Sequence, residues 1–458
     1  MTDTLDVQGS GLEVHPYDYY YRPGMDLRPA PARVASSPDW FELRKRVLGA
    51  WRDVAPQPAM TPLTERLADH FWQGDEFIDP VVKLALATNV GDVRKIIDQA
   101  LDEGIDAVQH PPREIADLFA HLDRKPDWFD ADMYEKGRVA LANQTVFGGL
   151  GGMLVNVVMT AQGTGVSSAT GATGRFVRDF YRRAVETNEF FRAVSRPGSS
   201  DRFSDGFKTN VRVRFMHGLV RANLSKRWGP DSYRTHGNPI SAADMALGVP
   251  AYSTINLLID NRLGYNHTVA DIDAVAMFWS YTAYVFGVPE SLIPRNGDEA
   301  NEMFDFILST YGRESSRWAT ELSSTFSKSL VKSYVRQDSV VGRFIGSRLV
   351  LPAVAGYFHY VCGSPVSDRV LAQLGYTHRQ LKRYSRIAGV GASVAVRTMR
   401  LVDSRPGRAA RRHNRATKGT PFSNLQAKVS KSQAKAAGIS TLDFQGHDSS
   451  TAADFADR

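Results

Sequence analysis

The stretch VRVRFMHGLVR, residues 211–221, places one histidine between two arginines in an apolar run. Arg214, His217 and Arg221 are three and four residues apart, so on a helix they would share one face. A lone histidine on an apolar face is most often a core residue with satisfied hydrogen bonds. A neutral imidazole on a helix can also hold haem iron from its proximal side, and nearby arginines can pair with haem propionates. The residues alone leave both roles open.

A second polar pair lies in the segment ATGRFVRDFYRRAVETNEFF, residues 172–191. Arg183 and Thr187 are four residues apart and would share a helical face. Such a pair is most often a surface or capping feature. The apolar neighbours also allow an inner position, where both side chains would face a pocket.

The stretch from Lys136 to Arg178 contains no Asp or Glu and is rich in Gly, Ala, Ser, Thr and Val. Small residues let two helices approach closely. They also let a flat, bulky group lie against the backbone. The composition therefore allows either tight helix packing or one wall of a cofactor pocket.

Several common site motifs are absent from the sequence. There is no H-E-x-x-H motif, no cysteine pair for zinc, no phosphate-binding G-x-x-x-x-G-K-[ST] and no G-x-S-x-G elbow. The run GGLGG, residues 148–152, follows no predicted strand and lacks the dinucleotide-binding spacing. Hydrolase and nucleotide-dependent functions are therefore disfavoured.

Periodicity predicts a body made of helices. Apolar residues recur at helical spacing in segment after segment, and no convincing alternating strand appears. Thr268 and Asp271 form a T-x-x-D capping signal, and Gly104 suits a helix C-cap. We therefore expect an all-α protein with an extended N-terminal arm (1–38), one large helical domain (39–402) and a basic, poorly ordered tail (403–458).

Composition narrows the location and the partners. The 458-residue chain has a net charge of +7 and a single cysteine, Cys362, which excludes an intramolecular disulfide and fits a reducing cytoplasm. No signal peptide and no membrane span are predicted. Much of the basic excess lies in residues 396–419, which contain no aromatic residue for stacking on bases. We expect no specific nucleic-acid binding, and either a solvated tail or weak peripheral contact with an anionic membrane.

Four motifs together resemble the MpaB-like oxygenases, a family that includes the latex-clearing rubber oxygenases. The motifs are RRAVET at 182–187, VRVRFMHGLVR at 211–221, HGNPISAADM at 236–245 and FGVPESLIP at 286–294. Each motif is short, and their order and spacing carry the resemblance, which spans roughly residues 130–375.

The resemblance implies an all-α fold with a globin-like core around haem b. It implies that His217 is the proximal iron ligand and that Arg183 and Thr187 are the polar pair near the haem. Arg214 and Arg221 match the arginines that flank the family histidine. Their contact with haem propionates is our inference, and a structural ion pair is the alternative.

One feature of the rubber-cleaving members is missing. Those proteins are associated with a glutamate upstream of the Arg/Thr pair that is proposed to act as a base. The corresponding region here, TAQGTGVSSATGATGR at 160–175, contains no carboxylate and no lysine that would cap the distal iron site. Gln162, Ser167 and Ser168 offer hydrogen bonds without comparable basicity. This departure argues against polyisoprene cleavage and leaves oxygen chemistry open.

The sequence therefore predicts a haem b-dependent oxygenase that uses O2 on an apolar, possibly unsaturated substrate of the lipid or isoprenoid kind. A helical protein that binds a hydrophobic ligand without turning it over is the alternative.

Overall fold

The computed structural model describes residues 16–172, 180–311, 317–334 and 340–418. Within these ranges the protein is built from helices, and an isolated antiparallel bridge between Val34 and Tyr311 is the only extended pairing. The all-α prediction is confirmed.

The α-helices follow one another with short connections. In chain order they are α1 Phe41–Leu48, α2 Pro62–Asp69, α3 Ile78–Ala87, α4 Val90–Glu103, α5 Arg113–Asp123, α6 Ala131–Ala142, α7 Val146–Gln162, α8 Thr164–Ala172, α9 Phe180–Val194, α10 Asp205–His236, α11 Ala242–Ala246, α12 Gly248–Tyr252, α13 Thr254–Leu263, α14 Val269–Val285, α15 Gly297–Ser309, α16 Arg317–Tyr334, α17 Val340–Ile345, α18 Leu351–Cys362, α19 Val366–Leu371, α20 His378–Asp403 and α21 Arg408–Lys418. A π-helical turn, Gly346–Val350, joins α17 to α18.

Local capping signals place several helix ends where the sequence predicts them. Thr268 and Asp271 form a capping box at the start of α14, with each side chain bonded to the backbone N–H of the other residue. Gly104 follows α4 with a φ of 95°, a conformation that glycine adopts without strain.

The segment from residue 130 to 162 contains two helices. The axes of α6 and α7 differ by 97°. The break lies at Thr145, whose hydroxyl accepts hydrogen bonds from the N–H groups of Phe147 and Gly148 and so starts α7. Asp260, on α13, accepts from the backbone N–H and the hydroxyl of Thr145. A partner 115 residues away therefore fixes the bend.

A continuous hydrophobic core joins most of the helices between α1 and α20, whereas Leu322 and Phe326 of α16 form a smaller cluster with Ala161 of α7. The central helix α14 is buried along nearly its whole length and packs along α6. On another side of the core, α18 packs along α20. This arrangement makes one helical domain that places α9, α10 and the end of α14 side by side.

The described part of the N-terminal arm lies on the helical body. The Tyr19 hydroxyl donates to Asp69 at 2.6 Å, and the Trp72 indole N–H donates to the carbonyl of Pro29 at 2.7 Å. These contacts hold the arm against α2 and the segment that follows it.

The predicted tail is ordered for longer than we expected. Residues 408–418 form α21, which packs on α6, where the Arg138 guanidinium donates to the carbonyl of Ala416 at 2.9 Å. Residues 408–418 of the predicted tail are therefore helical, and buried polar side chains of α6 and of the residue after it bind their backbone. Residues 419–458 lie outside the described ranges.

The segment Ala242–Leu263 is long and apolar enough to cross a membrane, and α6 with α7 would pass the same test as a bent pair. In the first segment, 78% of the apolar window is buried inside the protein. Buried core helices of globular proteins have the same length and composition, so this is weak support for a membrane span.

Candidate functional site

Helix α10 carries His217 near its middle. The helix starts at Ser204, whose hydroxyl accepts from the N–H of Phe207, and it bends at Gly229, where φ is 72°. The imidazole of His217 is partly buried and meets the ring of Phe286 edge-on, with 5.0 Å between ring centroids. The predicted helical context of His217 is therefore present, with an aromatic neighbour from the end of α14.

Arg214, one turn before His217, is bound to a carboxylate. Its guanidinium is 1% exposed and donates two hydrogen bonds of 2.7 Å to the two oxygens of Asp75. A third N–H donates to the carbonyl of Val285 at 3.2 Å. Burial raises the pKa of Asp75, but the charge and hydrogen bonds of Arg214 outweigh it and hold the pKa below its ordinary value.

Arg221, one turn after His217, has a similar partner. Its guanidinium donates to Asp79 at 2.9 Å and to the carbonyl of Ile240 at 2.8 Å. Burial lowers the pKa of Arg221, but Asp79 and Asp75 more than offset this effect, so the guanidinium stays charged. Both arginines thus make the structural ion pairs that we considered as the alternative to propionate binding.

The two ion pairs have a consequence for His217. They join α10 to α3 and to the turn before it, one helical turn on either side of the histidine. Rotation or sliding of α10 would break both contacts. Arg214 and Arg221 therefore position the imidazole, and we assign them no contact with a cofactor.

Helix α9 packs beside α10 and carries Arg183 and Thr187. Arg183 is partly buried and donates to Glu186 at 3.1 Å, whereas Thr187 is exposed. The structure therefore brings Arg183 into a polar contact but does not place Thr187 beside it in a buried pair.

Glu186 is the residue that sequence reasoning missed. It is 4% exposed and accepts hydrogen bonds from Arg182 and from Arg183, each at 3.1 Å. Glu186 and Phe190 are four residues apart and share a face of α9. Phe190 lies 5.4 Å from Phe286, the ring that contacts His217. Glu186 is part of the RRAVET motif, whereas the family pattern places its glutamate upstream of this motif.

Aromatic rings extend from His217 into the core. Phe191 lies 4.8 Å from Tyr252, and Tyr252 lies 5.3 Å from Trp279. Burial raises the pKa of Tyr252, so the phenol stays neutral. The buried indole N–H of Trp279 has no hydrogen-bond partner among the described residues. These rings suit contact with an apolar molecule, although Trp279 and its α14 neighbours Phe278, Tyr281 and Tyr284 are also buried core residues.

The small residues of α7 serve helix packing. A Cβ atom added at Gly152 would lie 1.6 Å from the side-chain oxygen of Asn256, and one at Gly148 would lie 2.5 Å from Asp260. Both contacts are with α13. Of the two interpretations of the acid-free stretch, tight helix packing describes these glycines. Residues 173–179 at its end lie outside the described ranges.

Of the other distal candidates, Gln162 is bound to residues of α19. Gln162 is buried, donates to the carbonyl of Val366 at 2.9 Å and accepts from Arg369 at 3.2 Å, which ties α7 to α19. The side chains of Ser167 and Ser168 lie outside what the structure describes.

Metal ions and haem differ in the number of protein ligands that they require beside His217. A bare zinc or non-haem iron ion takes three or more protein ligands. Within the described ranges, His217 belongs to no group of three His, Cys, Asp or Glu side chains with converging ligand atoms. Haem iron needs only one or two protein ligands because the macrocycle supplies four nitrogens. A single imidazole among aromatic rings therefore fits haem better than it fits a bare ion.

A separate cavity of about 540 Å³ lies between the N-terminal arm and α15. Its lining includes Leu27, Met60, Phe306 and Thr310, and neither His217 nor Arg183 borders it. Its volume suits a small apolar ligand, but the groups that could do chemistry lie elsewhere. We therefore place the candidate active site between α9 and α10.

Comparisons with known proteins identify a family and a similar fold. The family model described as ER-bound oxygenase mpaB/B'/Rubber oxygenase, catalytic domain, matches residues 137–402. A solved structure of latex clearing protein LCP in the closed state superposes with a TM-score of 0.59 at 17% sequence identity, over 82% of this chain and 95% of that one. No curated protein matches.

The structural likeness concerns the fold alone at this level of identity, whereas the family match spans more than half of the chain and includes α9, α10 and His217. The chain therefore belongs to the family of ER-bound oxygenase mpaB/B' and rubber oxygenase catalytic domains.

Proposed function

We propose that this protein is a haem b-dependent oxygenase in which His217 holds the iron and the substrate is an apolar, possibly unsaturated, lipid or isoprenoid-like molecule. Membership of an oxygenase family makes it an oxidoreductase. The observation that carries the haem assignment is the imidazole of His217 on α10, which lies against Phe286 and belongs to no cluster of three metal-ligating side chains in the described part of the chain. Bound haem would supply O2 binding and the redox chemistry.

The residues around this centre support an apolar substrate. The rings of Phe190, Phe191, Tyr252 and Phe286 offer apolar surface and exclude water beside His217. A molecule rich in hydrocarbon would gain by leaving water for such a surface. The orientation of a substrate would then come from shape and from the few polar groups on α9.

Glu186 is the acid–base group that we propose for this site. Arg182 and Arg183 fix the orientation of its carboxylate through two charge-assisted hydrogen bonds. A Glu186 oxygen can accept a proton from a bound substrate when the hydrogen bond from Arg182 or Arg183 to that oxygen is broken. Glu186 thus offers a carboxylate from within α9, where the rubber-cleaving members are associated with one from an upstream position.

The haem assignment is tested by absorption spectroscopy on the purified protein before and after reduction with dithionite. Wild type should show a Soret band with about one haem per chain, and His217→Ala should lose it while its circular dichroism stays helical. Imidazole added to His217→Ala should restore binding, because it replaces the missing ligand. The exposed His413 serves as the matched control, and His413→Ala should keep full haem.

Two outcomes would contradict the assignment. The first is a wild-type protein that stays colourless when haem is supplied. The second is a His217→Ala variant that keeps stoichiometric haem with an unchanged spectrum. In either case His217 is a core histidine of α10.

The alternative is a hydrophobic-ligand carrier without turnover, and the cavity of about 540 Å³ under the N-terminal arm is the feature that favours it. Oxygen consumption with unsaturated lipids separates the two functions. Haem-dependent consumption of O2 excludes a pure carrier, whereas lipid binding without consumption by a haem-loaded protein favours one.

We also propose that the protein is cytoplasmic and binds the membrane surface, as its apolar substrate would require. Helix α20 exposes an apolar row, here named the α20 row: Ile387, Val390, Val394 and Leu401. These residues recur at helical spacing, and Arg383, Arg386, Arg397 and Arg400 lie exposed on the same helix. Apolar residues bordered by arginines are typical of helices that lie in the interface of an anionic membrane.

A further inference from the structure

A second cluster of potential ligands lies on helices other than those of the candidate active site. His359 is in the last turn of α18, Asp368 is in α19, and His378 is the first residue of α20. One ligand atom from each residue lies within 4.8 Å of those from the other two. The Nδ1 atoms of His359 and His378 are 3.0 Å and 2.8 Å from the two oxygens of Asp368. Three helices therefore direct two imidazoles at one carboxylate.

The hydrogen bonds within the cluster are incomplete. Asp368 Oδ2 accepts from the Ser364 hydroxyl at 2.7 Å and contacts His378 Nδ1. Asp368 Oδ1 is buried, and its close polar neighbour is His359 Nδ1 at 3.0 Å, which is poorly aligned for a hydrogen bond. That nitrogen instead contacts the Ser367 hydroxyl at 2.9 Å, and Ser367 donates its own proton to the carbonyl of Gly363. A buried carboxylate oxygen without a hydrogen bond is costly and needs a partner.

The surroundings are suited to a metal ion. His359 is 3% exposed, and its imidazole is directed at Asp368 from inside the protein. The His378 side chain is 53% exposed and gives the site access to solvent. Cys362 is one turn from His359, but burial raises the pKa of its thiol, so it contributes no thiolate.

We propose that His359, Asp368 and His378 bind one divalent transition-metal ion of the zinc or ferrous class, with water in the remaining coordination positions. Two imidazole nitrogens and one carboxylate oxygen form a donor set that such ions accept with open positions. The ion would replace the Nδ1 proton of His359 and would supply the partner that Asp368 Oδ1 lacks. It would also join α18, α19 and the start of α20.

The proposal is tested with Zn²⁺ by isothermal titration calorimetry of the full-length, haem-loaded protein. Wild type should bind one Zn²⁺ per chain, and His378→Ala and Asp368→Asn should each bind more weakly. Loss of a group that only orients a metal ligand weakens binding by roughly 10- to 100-fold, so loss of a ligand should cost at least that much. His413→Ala, which removes an exposed histidine outside the cluster, should leave the affinity unchanged.

X-ray absorption at the zinc edge gives a second readout that haem iron does not obscure. The Zn²⁺-loaded wild type should show two imidazole ligands together with oxygen ligands. Any zinc that His378→Ala still binds should have no more than one imidazole ligand. Zinc affinity that is equal in wild type and His378→Ala would overturn the proposal. So would a sulfur ligand, or no binding by wild type; the cluster would then be a hydrogen-bonded connection between three helices.

Discussion

Asp75 determines the position of His217 although it does not contact the imidazole. It accepts two hydrogen bonds from the buried guanidinium of Arg214 and also caps the N–H groups of Phe77 and Ile78 before α3. One carboxylate thus joins α10 to the start of α3. The direction in which His217 points depends on this contact and on the Arg221–Asp79 pair one turn beyond it.

Asp75→Asn should destabilise the protein strongly. The substitution leaves the Arg214 guanidinium buried without a counter-charge, and breaking such a pair typically costs about 3–5 kcal/mol. Urea unfolding followed by circular dichroism measures the loss. The double variant Asp75→Asn/Arg214→Met should recover part of it, because it removes the uncompensated charge. A single variant as stable as wild type would show that the pair does not hold α10 in place.

The same pair should respond to acid. Because the pKa of Asp75 is below its ordinary value of about 3.9, the pair contributes its full stability above that pH. The contribution is lost as the pH falls through the lower, folded-state pKa. Between about pH 4 and pH 3, Asp75→Asn should therefore lose less of its remaining stability than wild type does.

At the scale of helices, glycines set the distances between axes. Gly137 on α6 faces α14, and an added Cβ atom would lie 1.9 Å from the carbonyl oxygen of Ala274 and 2.9 Å from Cβ of Phe278. The oxygen belongs to the backbone of a fully packed helix and cannot rotate away as a side chain would. The α6–α14 contact therefore requires glycine at this position.

Gly137→Ala should destabilise the protein by about 3 kcal/mol or more, the upper end of the range that is typical of overpacking. The matched control is Gly391→Ala on α20, where an added Cβ atom would meet nothing within 4 Å. That substitution should be neutral or should stabilise the protein by up to about 1 kcal/mol, because alanine favours helix. Thermal unfolding of the two variants makes the comparison, and equal melting temperatures would contradict the packing argument.

The all-α fold was predictable from the sequence because apolar residues recur at helical spacing within each segment. The 97° bend at Thr145 was not, since the carboxylate that binds Thr145 belongs to Asp260 on another helix. For the same reason the spacing of Arg214, His217 and Arg221 predicted only that they share a face of α10, while the partners Asp75 and Asp79 lie about 140 positions away and follow no local pattern. The role of Arg214 and Arg221 was thus open until the fold supplied their partners.

On the scale of the whole molecule, exposed apolar residues form a more suitable membrane-binding surface than the charged tail does. Besides the α20 row, α17 and the π-helical turn after it expose Val340, Val341, Phe344 and Leu349. Each of these side chains is more than 60% exposed. Residues 408–418, part of the basic stretch, instead pack on α6 as α21. We therefore expect membrane contact through α20 and α17.

Val394→Asp on α20 should weaken binding to anionic phosphatidylserine vesicles. It removes apolar area worth about 1.5 kcal/mol when buried and adds a charge that anionic lipid repels by about 1 kcal/mol. Together these effects predict a loss of affinity between roughly 10- and 100-fold. Co-sedimentation with vesicles measures the affinity, and circular dichroism checks that the fold is kept.

Val269→Asp is the matched control, because Val269 and Val394 are each 61% exposed and Val269 begins α14, outside the α20 row. An aspartate there also suits the positive end of the helix dipole, so this variant should bind vesicles as wild type does. Deletion of residues 419–458 should leave most of the binding intact. The membrane contact would instead belong to the chain beyond α21 if that deletion abolished binding and Val394→Asp did not. The deletion variant keeps the α20 row intact, so its loss of binding would show that this row does not bind the membrane.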